Sequence, residues 1–186
     1  REAQSGRMGH QLYTVCIKNK GLGKKRARWN FRAPTKEEYG AIEKAEKRLK
    51  EKMPSWENKN WVPYEEYVKG FSDRCSVYGV RKWIDLFNPR QLLTHLTYLE
   101  KFIEAKGKLF AGKEHGGKEW DFAEAVITYG AIAFDTCVNY NCLSSRWHFR
   151  RTLISPIMEL QGFPFKWSYA EWDHSQMLWP WALSKV

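Results

Sequence analysis

The sequence predicts an α+β fold, mainly helical, in which a basic N-terminal β-hairpin packs on a bundle of three or more helices. Two short runs near the N-terminus alternate apolar and polar residues, the pattern of half-buried strands. Further on, long stretches place apolar residues at helical spacing behind recognisable N-caps. A composition 43% hydrophobic and 16% aromatic supplies enough apolar surface for a core and excludes a disordered tail. At 186 residues the chain suits one domain, divided into a basic hairpin (1–33), a helical core (34–143) and an irregular, aromatic-rich tail (144–186).

The hairpin strands are Gln11 to Ile17, through Tyr13, Val15 and Ile17, and Lys25 to Phe31, through Ala27, Trp29 and Phe31. A turn from Lys18 to Lys24 joins them. Thr35 and Glu38 then form a capping box, and Tyr39, Ile42, Ala45, Leu49 and Met53 make a helical stripe. Glu43/Lys47 and Glu46/Lys50 are favourable pairs on its outer face. Pro54 to Pro63 reads as a connection, and Tyr64 to Lys69 as a short helix. Asn88-Pro89 starts the next helix, because Asn caps and Pro fits the first turn, where its missing N–H does no harm. Leu92, Leu96, Leu99 and Ile103 are its buried stripe. Ala111 to Lys118 is a glycine-rich loop. Glu119 to about Asn141 is apolar on nearly every side and carries Ala123, Ala125, Gly130, Ala131 and Ala133, which predicts the central, most buried helix.

Charge is concentrated rather than spread. From Arg1 to Arg32 nine Lys/Arg face a single Glu, so this segment carries +8 of the total +10 and the other 154 residues only +2. Such clustering suits a polyanion, since each cation that neutralises a phosphate releases a condensed counterion. A second basic segment, Tyr140 to Arg151, mixes Trp147 and His148 with Arg146, Arg150 and Arg151, a combination able to contact phosphate and stack on an unpaired base.

Catalytic motifs are incomplete. Gly112 to Lys118 fits the spacing of a phosphate-binding loop, but Glu119 stands where Ser or Thr would reach Mg²⁺ and a helix precedes it, so a helix–helix connection is expected. Asn88-Pro89 is followed by Arg90-Gln91, not by the second proline and aromatic of an amino-methyltransferase motif. Ser144-Ser145 lacks a nucleophile elbow, with only His148 as a nearby base. Cys16, Cys75, Cys137 and Cys142 have no ligand spacing, which predicts no metal site and reduced thiols in a cytoplasmic protein. The absence of an initiator Met or signal sequence before Arg1 predicts a segment of a longer protein.

Several strings together resemble a family of large prokaryotic adenine-specific DNA methylases that contain a zinc ribbon. They are Gly6-Arg-Met-Gly-His-Gln-Leu12, Ala33-Pro-Thr35, Tyr78-Gly79, Asp85-Leu-Phe-Asn-Pro-Arg-Gln-Leu-Leu93, Tyr140-Asn141, Arg146-Trp147 and Trp167-Ser-Tyr-Ala-Glu171. The Asp85 to Leu93 string is the most specific, and together they cover most of the chain. The resemblance implies a position between the S-adenosylmethionine motif and the Asp-Pro-Pro-Tyr catalytic motif, neither of which is in this sequence, with the zinc ribbon upstream. It implies a target-recognition insert that helps hold DNA while adenine is flipped from the stack. No cofactor is expected in this chain itself, S-adenosylmethionine belonging to the parent methyltransferase.

The expected nucleic-acid-binding residues are Arg7, Lys18, Lys20, Lys24, Lys25, Arg26, Arg28, Arg32, Arg146, Trp147, Arg150 and Arg151. The expected partners are DNA and the methyltransferase core; no membrane partner is expected. The alternative is a scaffold segment that docks on that core without touching DNA.

Overall fold

Local capping chemistry sets where the first two helices begin. In the computed structural model, which describes residues 5, 9–19, 28–67, 75–159 and 166–186, the Glu38 carboxylate accepts the Thr35 N–H and the Thr35 hydroxyl accepts the Glu38 N–H. This opens α1 (Lys36–Asn58). Asn88 and Gln91 make the same reciprocal pair ahead of α2 (Pro89–Phe110), with Pro89 in the first turn. Helix α3 (Lys118–Tyr140) starts at Gly117 without a side-chain cap. Glu119 and Asp121 in its first turn complement the positive end of the helix dipole instead. A short α4 (Trp179–Leu183) follows a single π-turn at His174–Leu178.

Among the described residues two antiparallel ribbons complete the α+β, mainly α fold: β1 (Val15–Asn19) with β2 (Arg28–Arg32), and β3 (Arg146–His148) with β4 (Leu153–Ser155). In the first, Cys16 stands opposite Phe31 and Lys18 opposite Trp29, while Val15 and Ile17 stand opposite Arg32 and Asn30. Opposed residues share a face. The two apolar rows of the hairpin therefore lie on opposite faces, and Lys18 shares the face of Trp29 and Phe31.

Among the described residues the buried apolar side chains form three clusters. Leu49 and Trp56 of α1 pack with Val62 and with Leu92 and Leu96 of α2. Tyr67, Cys75, Val80 and Leu86 form a second cluster. Ala133 and Cys137 of α3 meet Leu178 and Ala182, flanked by Tyr140, Trp172, Trp179 and Trp181.

Four sequence expectations are corrected. Helix α1 runs through Pro54 to Asn58, because continuing it seats Trp56, fully buried among Leu92 and Leu96, and that burial outweighs the hydrogen bond proline removes. Tyr64 to Tyr67 is extended, not helical: Tyr67 N–H donates to Arg81 O and Trp83 N–H to Glu65 O, so the backbone pairs across to residues 81–83. Ile103 lies at the exposed margin of α2 while Leu92 and Leu96 are buried. Helix α3 is not the most buried helix, for Phe122, Val126, Tyr129 and Ile132 are all exposed along one side. Its small residues still act as expected where helices meet: a Cβ on Gly130 would come within 2.6 Å of the Phe102 ring.

Trp56 and Phe122 should respond oppositely to truncation. Trp56→Ala is expected to cost about 3–5 kcal/mol, whereas Phe122→Ala, 67% exposed, should stay within about 0.5 kcal/mol of the parent. Urea denaturation followed by circular dichroism measures both.

Candidate nucleic-acid interface

The indole of Trp147 in β3 joins two basic segments that lie far apart in the sequence. Trp29 packs its ring edge-on against Trp147 at 5.2 Å between centroids and 72°, and Phe31 does so at 5.7 Å and 80°. Lys18, exposed on the same face of the hairpin, places its ammonium 5.4 Å from the Trp29 centroid. Beyond Trp147, the turn between β3 and β4 carries Phe149, Arg150 and Arg151, all exposed. Thr152 takes a left-handed conformation (φ 50°) that brings the chain back into β4. The Arg150 guanidinium lies 5.7 Å from the Phe149 ring centroid, and His148 Nδ1 accepts the Arg151 N–H at 3.2 Å.

The expected contact residues do not all sit alike. Lys18, Arg150 and Arg151 are exposed, and no carboxylate among the described residues pairs with them. Arg146 and Trp147 are half-buried in β3, where Trp147 anchors the hairpin. Arg28 opens β2 opposite Asn19. Arg32 is committed to the fold: both terminal nitrogens donate to Glu38 at 2.7 Å, and Glu38 also accepts the Thr35 N–H. Hydrogen bonding from Arg32 holds the Glu38 carboxyl at about 2. Arg7, Lys20, Lys24, Lys25 and Arg26 lie outside the described residues.

A polar junction holds this surface on the helices. The buried Asn88 amide divides its two protons between Tyr169 Oη at 3.0 Å and Glu171 Oε2 at 2.7 Å. Glu171 is gripped from its other side by Arg90, with Nε to Oε1 at 2.9 Å and Nη2 to Oε2 at 2.7 Å. Because Tyr169 Oη already accepts from Asn88, its own proton is available to His10 Nδ1, 3.1 Å away, just ahead of the hairpin. Burial, reinforced by the Arg90 charge, lowers the His10 pKa. Ala170 N–H donates to Ser145 O, the residue preceding β3, which ties the junction to the second ribbon.

Asn141 closes the junction from the end of α3. Its Oδ1 accepts from Gln91 Nε2 and from Trp172 N–H, and its carbonyl accepts from His95 Nε2 at 2.9 Å. A donor is required there, so His95 carries its proton on Nε2. That leaves Nδ1 buried without a partner among the described residues, as are both ring nitrogens of His174. The two imidazoles lie 5.5 Å apart, and His174 lines a cleft of about 340 Å³ with Arg90, Thr94, Asn141, Glu171 and Trp172.

Sequence reasoning assigned Asn88 only a capping role and passed over Arg90, His95, Tyr169 and Glu171. Except for His95, which none of the family-like strings contains, these residues lie in those strings: His10, Asn88 and Arg90, Asn141, and Tyr169 and Glu171 come from four of them and meet in one place.

Ser144, Ser145 and His148 have local structural partners. Ser145 Oγ accepts the Cys142 N–H, Ser144 lies by Cys75, and His148 is engaged by its turn. The Gly112 loop is a tight connection between α2 and α3, with left-handed Gly112 and Gly116 and with Lys113 paired to Glu119. All four cysteines are unpaired as disulfides, and burial pushes the Cys137 thiol up to about 12. Among the described residues no three His, Cys, Asp or Glu side chains gather as metal ligands would. No described helix is long and apolar enough to cross a membrane.

Buried neutral imidazoles make the fold acid-sensitive. Burial lowers His95 from 6.5 to about 4 and also lowers His174. Between those values the unfolded chain binds more protons than the folded one, so stability is full above pH 6.5 and falls as the pH drops toward 4. His95 alone accounts for a loss approaching about 3 kcal/mol. His95→Gln, which keeps a donor for Asn141 O, should flatten this acid limb in melting temperatures taken from pH 7 to pH 4. No protein-family model, curated protein or solved structure matches the chain.

Proposed function

We propose that this chain is the DNA-binding, target-recognition insert of an adenine-specific DNA methyltransferase. It holds DNA for S-adenosylmethionine-dependent N6-adenine methylation performed by the rest of that protein. The observation that carries the reading is the seating of Trp29 and Phe31 on Trp147, which packs the basic hairpin against the ribbon whose turn carries Arg150 and Arg151. Phosphate is the partner such a surface fits: Lys18, Arg150 and Arg151 are exposed cations, and release of counterions from DNA drives their binding. The convergence of the methylase-like strings in the polar junction supports the same reading, since those residues orient the surface rather than scatter over the chain.

A second reading, docking on the methyltransferase core, draws support from α3. Phe122, Val126, Tyr129 and Ile132 expose an apolar row, and a contiguous exposed apolar patch is the usual mark of a protein contact. Docking through α3 uses a different surface from the exposed cations; as the scaffold alternative it stands without any contact to DNA, and beside DNA contact it only extends the first reading.

Neutralising Lys24, Lys25 and Arg26 together, or Lys18, Arg150 and Arg151 together, should weaken DNA binding. Each triple change should flatten the slope of log K against log salt by about 3. Fluorescence polarisation at several salt concentrations reads both quantities, and an unchanged slope removes that set from the contact surface. For the second reading, Phe122→Glu with Tyr129→Glu should leave DNA binding intact and abolish calorimetric binding to the methyltransferase core supplied as a separate chain.

A further inference from the structure

We infer that the basic surface takes unpaired nucleotides in preference to a closed duplex, an inference that rests on the DNA-binding reading above and narrows it. The β3–β4 turn holds Phe149 73% exposed, with the Arg150 guanidinium 5.7 Å from its ring centroid. A second ring, Phe31, is 55% exposed although its edge packs on Trp147. These rings contribute little to the interior, and their neighbours Lys18, Arg150 and Arg151 are exposed cations. Cations beside exposed rings suit a polyanion better than an apolar protein face.

The form of the nucleic acid follows from what the rings need. In a closed duplex the base faces are covered by one another, so Phe149 would meet only groove edges, sugar and phosphate. An unpaired base offers its π-face, and stacking of that face on an aromatic ring is favourable and tolerant of sequence. Arg150 on the ring adds a cation–π contribution, while Arg151 remains for a flanking phosphate. Trp147 does not serve as the stacking platform, because it is half-buried between Trp29 and Phe31. It fixes the ribbon from which Phe149 projects.

The test is fluorescence anisotropy of the full chain with a labelled single strand of about 20 nucleotides and with a blunt duplex of the same sequence, at low salt. The strand should bind about tenfold more tightly than the duplex, and Phe149→Ala should bring the two affinities close together. Phe149→Trp should restore the strand preference. Circular dichroism confirms that the variants, altered at an exposed position, stay folded. Equal affinity for both forms, or a strand preference that survives Phe149→Ala, overturns the inference and leaves the DNA-binding reading standing. Binding to neither form at low salt overturns both.

Discussion

The side-chain amide of Asn88 lies fully buried and shares its protons between Tyr169 and Glu171, while its oxygen caps α2 through the Gln91 N–H. One short side chain thereby fixes the start of a helix and captures a segment more than 80 residues away in sequence. Buried polar groups are costly unless every donor and acceptor is met, so this arrangement admits few alternatives. Arg90 completes it. Burial opposes the Arg90 charge, but hydrogen bonding and attraction to Glu171 outweigh that opposition and raise its pKa. Removing either partner would leave a partly buried charge uncompensated.

The same economy separates structural from available charge. Arg32 and Arg90 are both held in two-point contacts with carboxylates: Arg32 ties β2 to Glu38 at the start of α1, and Arg90 ties α2 to Glu171, far along the chain. Lys18, Arg150 and Arg151 have no such carboxylate among the described residues, and Lys18 and Arg150 stand beside aromatic rings. A formal charge of +10 thus overstates the charge a polyanion would meet and understates its concentration. Guanidinium groups bound two-point to carboxylate are poor counterion-release sites, because their charge is already matched.

What was legible in the sequence follows from the range of the interaction that carries it. The caps at Thr35 and Asn88 act over three residues, and both were readable with the helices they start. The hairpin was readable from alternation, but its first strand runs Val15–Asn19 and not Gln11 to Ile17, so Lys18, expected in the turn, belongs to the strand. The register was not readable, because alternation specifies two faces without saying which rows are opposed, and Val15 and Ile17 turn away from Trp29 and Phe31. Pro54 misled because its local penalty is visible in sequence while the distant burial that outweighs it, at Trp56, is not. Phe122, Val126, Tyr129 and Ile132 misled in the opposite sense: hydropathy reports the preference of a side chain for burial, and nothing in the described chain covers these four. The polar junction was least legible. Periodicity tracks apolar faces, and hydrogen-bond partners such as Asn88 and Glu171 leave no periodic trace.

Two-stranded ribbons are marginal structures on their own, and this chain builds its candidate interface from two of them. Each is held from outside. The first is tied by Arg32 to Glu38, by Tyr39 Oη to Leu12 O and by its two aromatic rings on Trp147. The second is tied by Ala170 N–H to Ser145 O and by the buried Ile154 and Ser155 of β4. Anchoring matters differently for the two kinds of contact such a surface makes. Attraction to phosphate depends mainly on how many cations are close, and it survives loose geometry. Stacking needs a ring held at a fixed angle, and it does not. A surface of the same composition released from the Asn88 junction would keep its charge and lose the orientation of its rings, so the polar network in the interior acts on the geometry of the exterior.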